Sequence, residues 1–115
     1  MKKVYFLSTC DTCKRIIKDL AIGDEFEYQD IKKDPLTESQ LDEMKQMAGS
    51  YESLFSRVAR KYKELGMKDK QLSENDYRSY ILSEYTFLKR PVFIIEENIY
   101  IGNSKKTIEQ IKGVI

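Results

Sequence analysis

Hydrophobic and polar positions along this chain switch between a period of two and a period of 3.6, and each switch predicts an element. Residues 3–7 are apolar and β-prone and stop at the polar pair Ser8-Thr9, which predicts a first strand. From Cys13 onward Ile16, Ile17 and Leu20 recur at helical spacing, with Gly23 as the stop. Residues 25–31 alternate through Phe26 and Tyr28, and less cleanly Ile31, predicting a second strand that Lys32-Lys33-Asp34-Pro35 breaks. The middle is helical. Thr37 and Gln40 have capping-box form ahead of Leu41, Met44 and Met47, and Gly49 ends that helix. Tyr51, Leu54, Phe55, Val58, Tyr62 and Leu65 then trace one long apolar face that ends at Gly66. Ser73, with Asp76 three residues on, starts a third helix with Tyr77, Ile81, Tyr85 and Leu88 inward.

After Lys89-Arg90-Pro91 the period returns to two. Residues 92–95 and 99–101, joined by Glu96-Glu97-Asn98, read as a β-hairpin, and Ser104 opens a closing helix carrying Ile108 and Ile111. The predicted order is β-α-β, three helices, β-β-α. With a Cys-x-x-Cys at the first strand-to-helix turn and a proline opening the third strand, this is the layout of an α/β, thioredoxin-like fold. It has a mixed sheet and an enlarged helical middle, in one domain over residues 1–115.

Composition narrows the function classes. A chain of 115 residues with 41% hydrophobic and 34% charged residues can bury a core without staples, and a net charge of +1 gives no general pull toward nucleic acid or anionic membrane. No apolar run approaches the roughly 18 residues that span a bilayer, and residues 1–7 are too short for a signal segment, so the expected compartment is the cytoplasm. No helix-turn-helix, RNA-recognition motif or phosphate-cradling glycine loop is present, which argues against direct nucleic-acid binding.

The candidate chemistry is sulfur. The only two cysteines are Cys10 and Cys13, at a predicted helix start, where unpaired backbone N–H groups and the helix dipole favour a thiolate. A structural zinc site draws four ligands, commonly from cysteine and histidine, and this chain has no histidine and no third cysteine, so no metal is expected. The same lack removes any Cys-His pair, which leaves the dipole, a cation or the second thiol to stabilise a thiolate. Cys10, at the mouth of the helix, is the expected nucleophile, and Cys13, one turn inside, the resolving thiol.

Four separated segments carry a resemblance: Cys10-Asp11-Thr12-Cys13-Lys14, Ile31-Lys32-Lys33-Asp34-Pro35-Leu36, Leu54-Phe55-Ser56-Arg57 leading to Tyr62-Lys63-Glu64-Leu65-Gly66, and Leu88-Lys89-Arg90-Pro91-Val92. Together, in this order, the sequence resembles the ArsC/Spx family. The resemblance implies a thioredoxin fold with a helical insertion over about residues 36–88. It also implies either arsenate reduction through a cysteine or, in the Spx branch, a Cys-x-x-Cys switch that controls binding to RNA polymerase.

By the same resemblance Arg90 is an oxyanion or thiolate partner. Pro91 corresponds to the fold's cis-proline beside the reactive sulfur, Thr12 supplies a backbone amide to the anion, and Arg57 or Arg60 supplies a second basic group. Arsenate reductases of the family often hold their arginine one position from Arg57, where this chain has Ser56 and Val58. They also tend to place another arginine after the terminal hairpin, where this chain has Gly102-Asn103-Ser104-Lys105-Lys106. The expected function is a thiol-dependent oxidoreductase acting on a small oxyanion or a thiol/disulfide substrate, with no bound cofactor. Glutathione with glutaredoxin, or thioredoxin, would donate electrons. The alternative is an Spx-like redox regulator with RNA polymerase as its partner.

Overall fold

The computed structural model describes all residues, Met1–Ile115, and divides into two compact units, one formed by Met1–Pro35 and Arg90–Ile115 and the other by Leu36–Lys89. In the first unit the strands are β1 (Lys2–Phe6), β2 (Glu27–Asp30), β3 (Val92–Ile95) and β4 (Asn98–Ile101), and the helices are α1 (Asp11–Asp19) and α5 (Lys105–Lys112). Sheet order is β2-β1-β3-β4, with β1 parallel to β2 and antiparallel to β3, and β3 antiparallel to β4. This is the mixed, thioredoxin-like sheet that the pattern predicts. The residues that alternate onto one face, Val4, Phe93 and Ile95, pack with Ile16 and Leu20 of α1, Ile111 of α5 and Phe26. Burying each such side chain contributes about 1.5–3 kcal/mol.

Helix α1 ends earlier than Gly23 suggests. Leu20 caps it, its N–H bonding the Ile16 carbonyl, and Ala21 turns the chain at φ 52. The closing helix starts as expected, with the Ser104 hydroxyl accepting the Thr107 N–H. No helix is long and apolar enough to cross a membrane.

The second unit holds α2 (Glu38–Ala48), α3 (Arg60–Glu64) and α4 (Glu74–Ser83), with 3₁₀ turns over Glu52–Leu54, Met67–Asp69 and Tyr85–Phe87. Both predicted capping boxes form: Thr37 with Gln40 on α2 and Ser73 with Asp76 on α4. The long helix expected over residues 51–66 does not. Phe55 is extended and bridges Leu88, the Ser56 N–H donates to the Phe87 carbonyl (2.6 Å) and the Lys89 N–H to the Leu54 carbonyl (2.9 Å). Non-local backbone pairing has overridden the local 3.6 period here. Val58, placed by that period on a buried face, is 89% exposed, and Leu65 is 46% exposed. Likewise α4 stops at Ser83, so Tyr85 lies in a 3₁₀ turn and Leu88 in extended chain. Phe55 is the hub of an aromatic cluster, stacked on Phe87 at 5.1 Å, tilted to Tyr77 at 4.9 Å and edge-on to Tyr62 at 6.1 Å.

Candidate active site

The site is built where β1 hands over to α1. The Cys10 N–H turns back onto the Leu7 carbonyl (3.0 Å), and the Cys10 carbonyl accepts the Lys14 N–H (3.2 Å), so Cys10 is the extended N-cap residue of the helix. Its sulfur is open to the Cys13 N–H of the first turn. Thr12 and Cys13 follow in the first turn, Thr12 half-buried and Cys13 fully buried. Both cysteines are free thiols.

Two thiols this close are driven apart electrostatically. For Cys10, partial burial opposes ionisation but is outweighed by the Cys13 N–H, the Cys13 thiol and the Arg90 guanidinium, which all favour the thiolate, so its pKa lies below the ordinary thiol value. For Cys13, burial dominates and pushes the thiol up to about 11. Cys10 pushes it the same way, while a Leu7 backbone hydrogen bond and the Arg90 charge act against the rise. At neutral pH the pair therefore has one sulfur ready to ionise and one held protonated beside it.

Arg90 stands at the entry to β3, the strand next to β1, and its guanidinium acts on the Cys10 sulfur from there; the Arg90–Pro91 peptide bond is cis. Pro91 itself is buried. Cys10, Thr12, Cys13, Arg90 and Pro91 thus belong to one unit, with the Arg90 charge acting on both sulfurs. Arg57 and Arg60 belong to the helical unit. Arg57 lies in a turn and not on a helix, its Nη2 bound to Glu52 Oε2 (2.8 Å) and to the Tyr77 hydroxyl (3.0 Å). Arg60 is exposed at the first position of α3. No group of three or more histidine, cysteine, aspartate or glutamate side chains is gathered as a metal site.

One residue bonded to the loop before Cys10 is absent from the expectations drawn from sequence. Asp30, at the end of β2 and level with Phe6 in the parallel register, accepts the Ser8 N–H (3.3 Å) and the Lys32 N–H (3.2 Å) through Oδ1. Partial burial would raise its pKa, but the Ser8 hydroxyl and N–H, the Lys32 N–H and the Lys33 charge together hold it below the usual carboxylate range. The available signal was a carboxylate closing the second predicted strand, with a serine closing the first.

The sequence profile of the ArsC family matches residues 5–111. The chain belongs to the ArsC family. Among solved structures, a possible arsenate reductase from Streptococcus mutans UA159 is 27% identical, with a TM-score of 0.71 over 96% of this chain and 97% of that one. The arsenate reductase from Vibrio cholerae is 18% identical, with a TM-score of 0.74 over 99% and 97% of the two chains. SACOL0876 from Staphylococcus aureus COL is 24% identical, with a TM-score of 0.73 over 96% and 97%. No curated protein matches in sequence. The whole ArsC fold, with both its units, is thus shared end to end with these structures.

Proposed function

We propose that this ArsC-family protein is a thiol-dependent reductase of arsenate or a similar tetrahedral oxyanion, with Cys10 as nucleophile. The observation that carries the reading is the convergence of Arg90 and the Cys13 donors on one sulfur at the head of α1. The possible arsenate reductase from Streptococcus mutans among the structural relatives supports the choice of substrate. The α1 amides of Thr12 and Cys13 and the Arg90 fork supply donors of the kind a tetrahedral oxyanion requires.

The Cys10 thiolate attacks arsenic(V), and one oxygen takes up protons and leaves as water, giving a thiol–arsenate adduct. A second thiol then attacks the Cys10 sulfur and loses its proton. A disulfide forms, the S–As electron pair stays with arsenic, and arsenite leaves with arsenic(III), the two electrons having come from two thiols. Cys13 suits the second role. It lies one turn inside α1 from Cys10, at the Cys-x-x-Cys spacing that allows a disulfide to close. Glutathione with glutaredoxin, or thioredoxin, would return the disulfide to thiols, consistent with work in the reducing cytoplasm.

The test is arsenite formation from arsenate with glutathione and glutaredoxin present. Cys10→Ser should abolish turnover, and Arg90→Ala should lower kcat/KM by about 100-fold, the usual cost of one anion-stabilising donor. No arsenite from the native chain, together with redox-dependent capture of RNA polymerase, would replace this reading with the regulator.

A further inference from the structure

The loop that presents Cys10 is only two residues long between the strand-end Leu7 turn and the sulfur, and something outside α1 must fix it. We infer that Asp30 is a positioning residue for Cys10, its carboxylate pinning the Ser8 backbone and so holding the β1–α1 loop with the Cys10 sulfur at the helix mouth beside Arg90.

Parallel pairing of β1 and β2 sets Phe6 level with Asp30, and the Ile31 N–H bonds the Phe6 carbonyl at 2.9 Å, so the two strand ends are locked just before both loops begin. Beyond that bond β1 offers the loop no further ladder partner, and a single Asp30 oxygen takes over. It gathers the Ser8 N–H from one loop and the Lys32 N–H from the other. The next backbone bond along the chain, Cys10 N–H to the Leu7 carbonyl, closes the turn whose conformation those contacts restrain. Releasing Ser8 therefore frees the near end of the Ser8-Thr9 link, leaves the Cys10–Leu7 bond to hold the turn alone, and lets the sulfur drift from the donors that favour its thiolate.

The inference rests on Cys10 being the reactive thiol of the proposed function, but its test uses no arsenate. The rate of iodoacetamide alkylation of Cys10 at pH 7 is measured for the native chain, Asp30→Ala and Asp30→Asn, with urea midpoints taken in parallel. Asp30→Ala removes the acceptor and should slow alkylation by about three- to tenfold. Asp30→Asn keeps an oxygen for the Ser8 N–H and should restore a rate within about twofold of native, even though a negative charge is lost. A role confined to folding would lower the midpoint of the alanine variant and leave the rate of the folded protein alone.

A folded Asp30→Ala protein alkylated at the native rate would overturn the inference, as would an Asn variant as slow as the alanine one. Should Asp30→Ala not fold, amide exchange on the native chain decides: a Ser8 N–H protected by tenfold or more supports the clamp, and an unprotected one sinks it. Native Cys10 reacting no faster than free cysteine would instead count against the proposed function.

Discussion

Cys10 and Cys13 are the same residue type three positions apart, yet their surroundings move them in opposite directions. Exposure separates them first, since Cys13 is sealed in the first turn of α1 whereas Cys10 is only partly covered. Alkylation at neutral pH should therefore label Cys10 faster than free cysteine and leave Cys13 unlabelled in the folded protein, as peptide mapping would show. Arg90→Ala should slow the Cys10 reaction by about tenfold, the size of effect expected when a cation in contact with a thiolate is lost. Arg90→Lys should recover only part, because a point charge does not reproduce the planar fork. Equal labelling of both sulfurs would defeat this account. Much of this was legible in the sequence, because a Cys-x-x-Cys at a strand-to-helix turn and an arginine before a proline are local signals. Asp30 was not, because its role exists only once parallel pairing sets it beside Ser8. Nor were the partners of Arg57, which are five and twenty residues away and were brought to it by folding.

Among the elements, α2 shows why ends were easier to read than middles. Its start is written in two residues: Thr37 N–H donates to Gln40 Oε1 and Gln40 N–H to Thr37 Oγ1, each at 3.1 Å. Its end is written in one, since Gly49 takes φ 94, which L side chains rarely adopt. Thr37→Ala should cost about 1 kcal/mol in urea denaturation. Gly49→Ala should cost about 1–2 kcal/mol although a Cβ there would meet nothing within 4 Å, so the penalty would be backbone strain alone. A Gly49→Ala protein as stable as native would refute the left-handed cap. Residues 51–66 failed for the converse reason. Their helical period is real, but the backbone around Phe55 satisfies itself against residues 87–89, and no period within one segment reports a partner more than thirty residues away. Ser50 does start that segment, its hydroxyl accepting the Ser53 N–H at 3.2 Å, but the turn it opens closes after Leu54, whereas the Ser73 and Asp76 box on α4 opens a full helix. Val58→Lys should accordingly change the unfolding free energy in urea by no more than about 0.5 kcal/mol, the usual range for an exposed site.

For the molecule as a whole, the titrating groups define a window of stability with no imidazole in it, because the chain has no histidine. On the acid side Asp42 sets the edge. Hydrogen bonds from Arg78 and from the Tyr51 hydroxyl hold its carboxyl down to about 2, against an ordinary value of 3.8. Asp30 and Glu25 are lowered as well, Glu25 by backbone N–H donors including that of Gly23. Between the folded and ordinary values the unfolded chain binds more protons than the native one, so this stability is complete above about pH 4–5 and drains away as pH falls toward 2. On the alkaline side the sign reverses. Cys13 keeps its proton up to about 11, whereas an ordinary thiol gives it up near 9.0, so between those values the native chain binds more protons and stability falls as pH rises. The Tyr28 phenol, raised first by burial and then by Glu25 and Asp24, and the Tyr51 phenol, raised by its bond to Asp42, pull the same way. Cys10, shifted down, acts oppositely and adds stability as pH climbs toward 9. The urea midpoint should therefore vary little or rise gently from pH 5 to 8.5, then drop below pH 4 and above pH 9. Cys13→Ala should flatten the alkaline limb without touching the acid one, while Asp42→Asn should flatten the acid limb and, by releasing the Tyr51 phenol, ease the alkaline one as well. An alkaline limb that persists at full slope in Cys13→Ala would show that the inner thiol is not the group that resists ionisation.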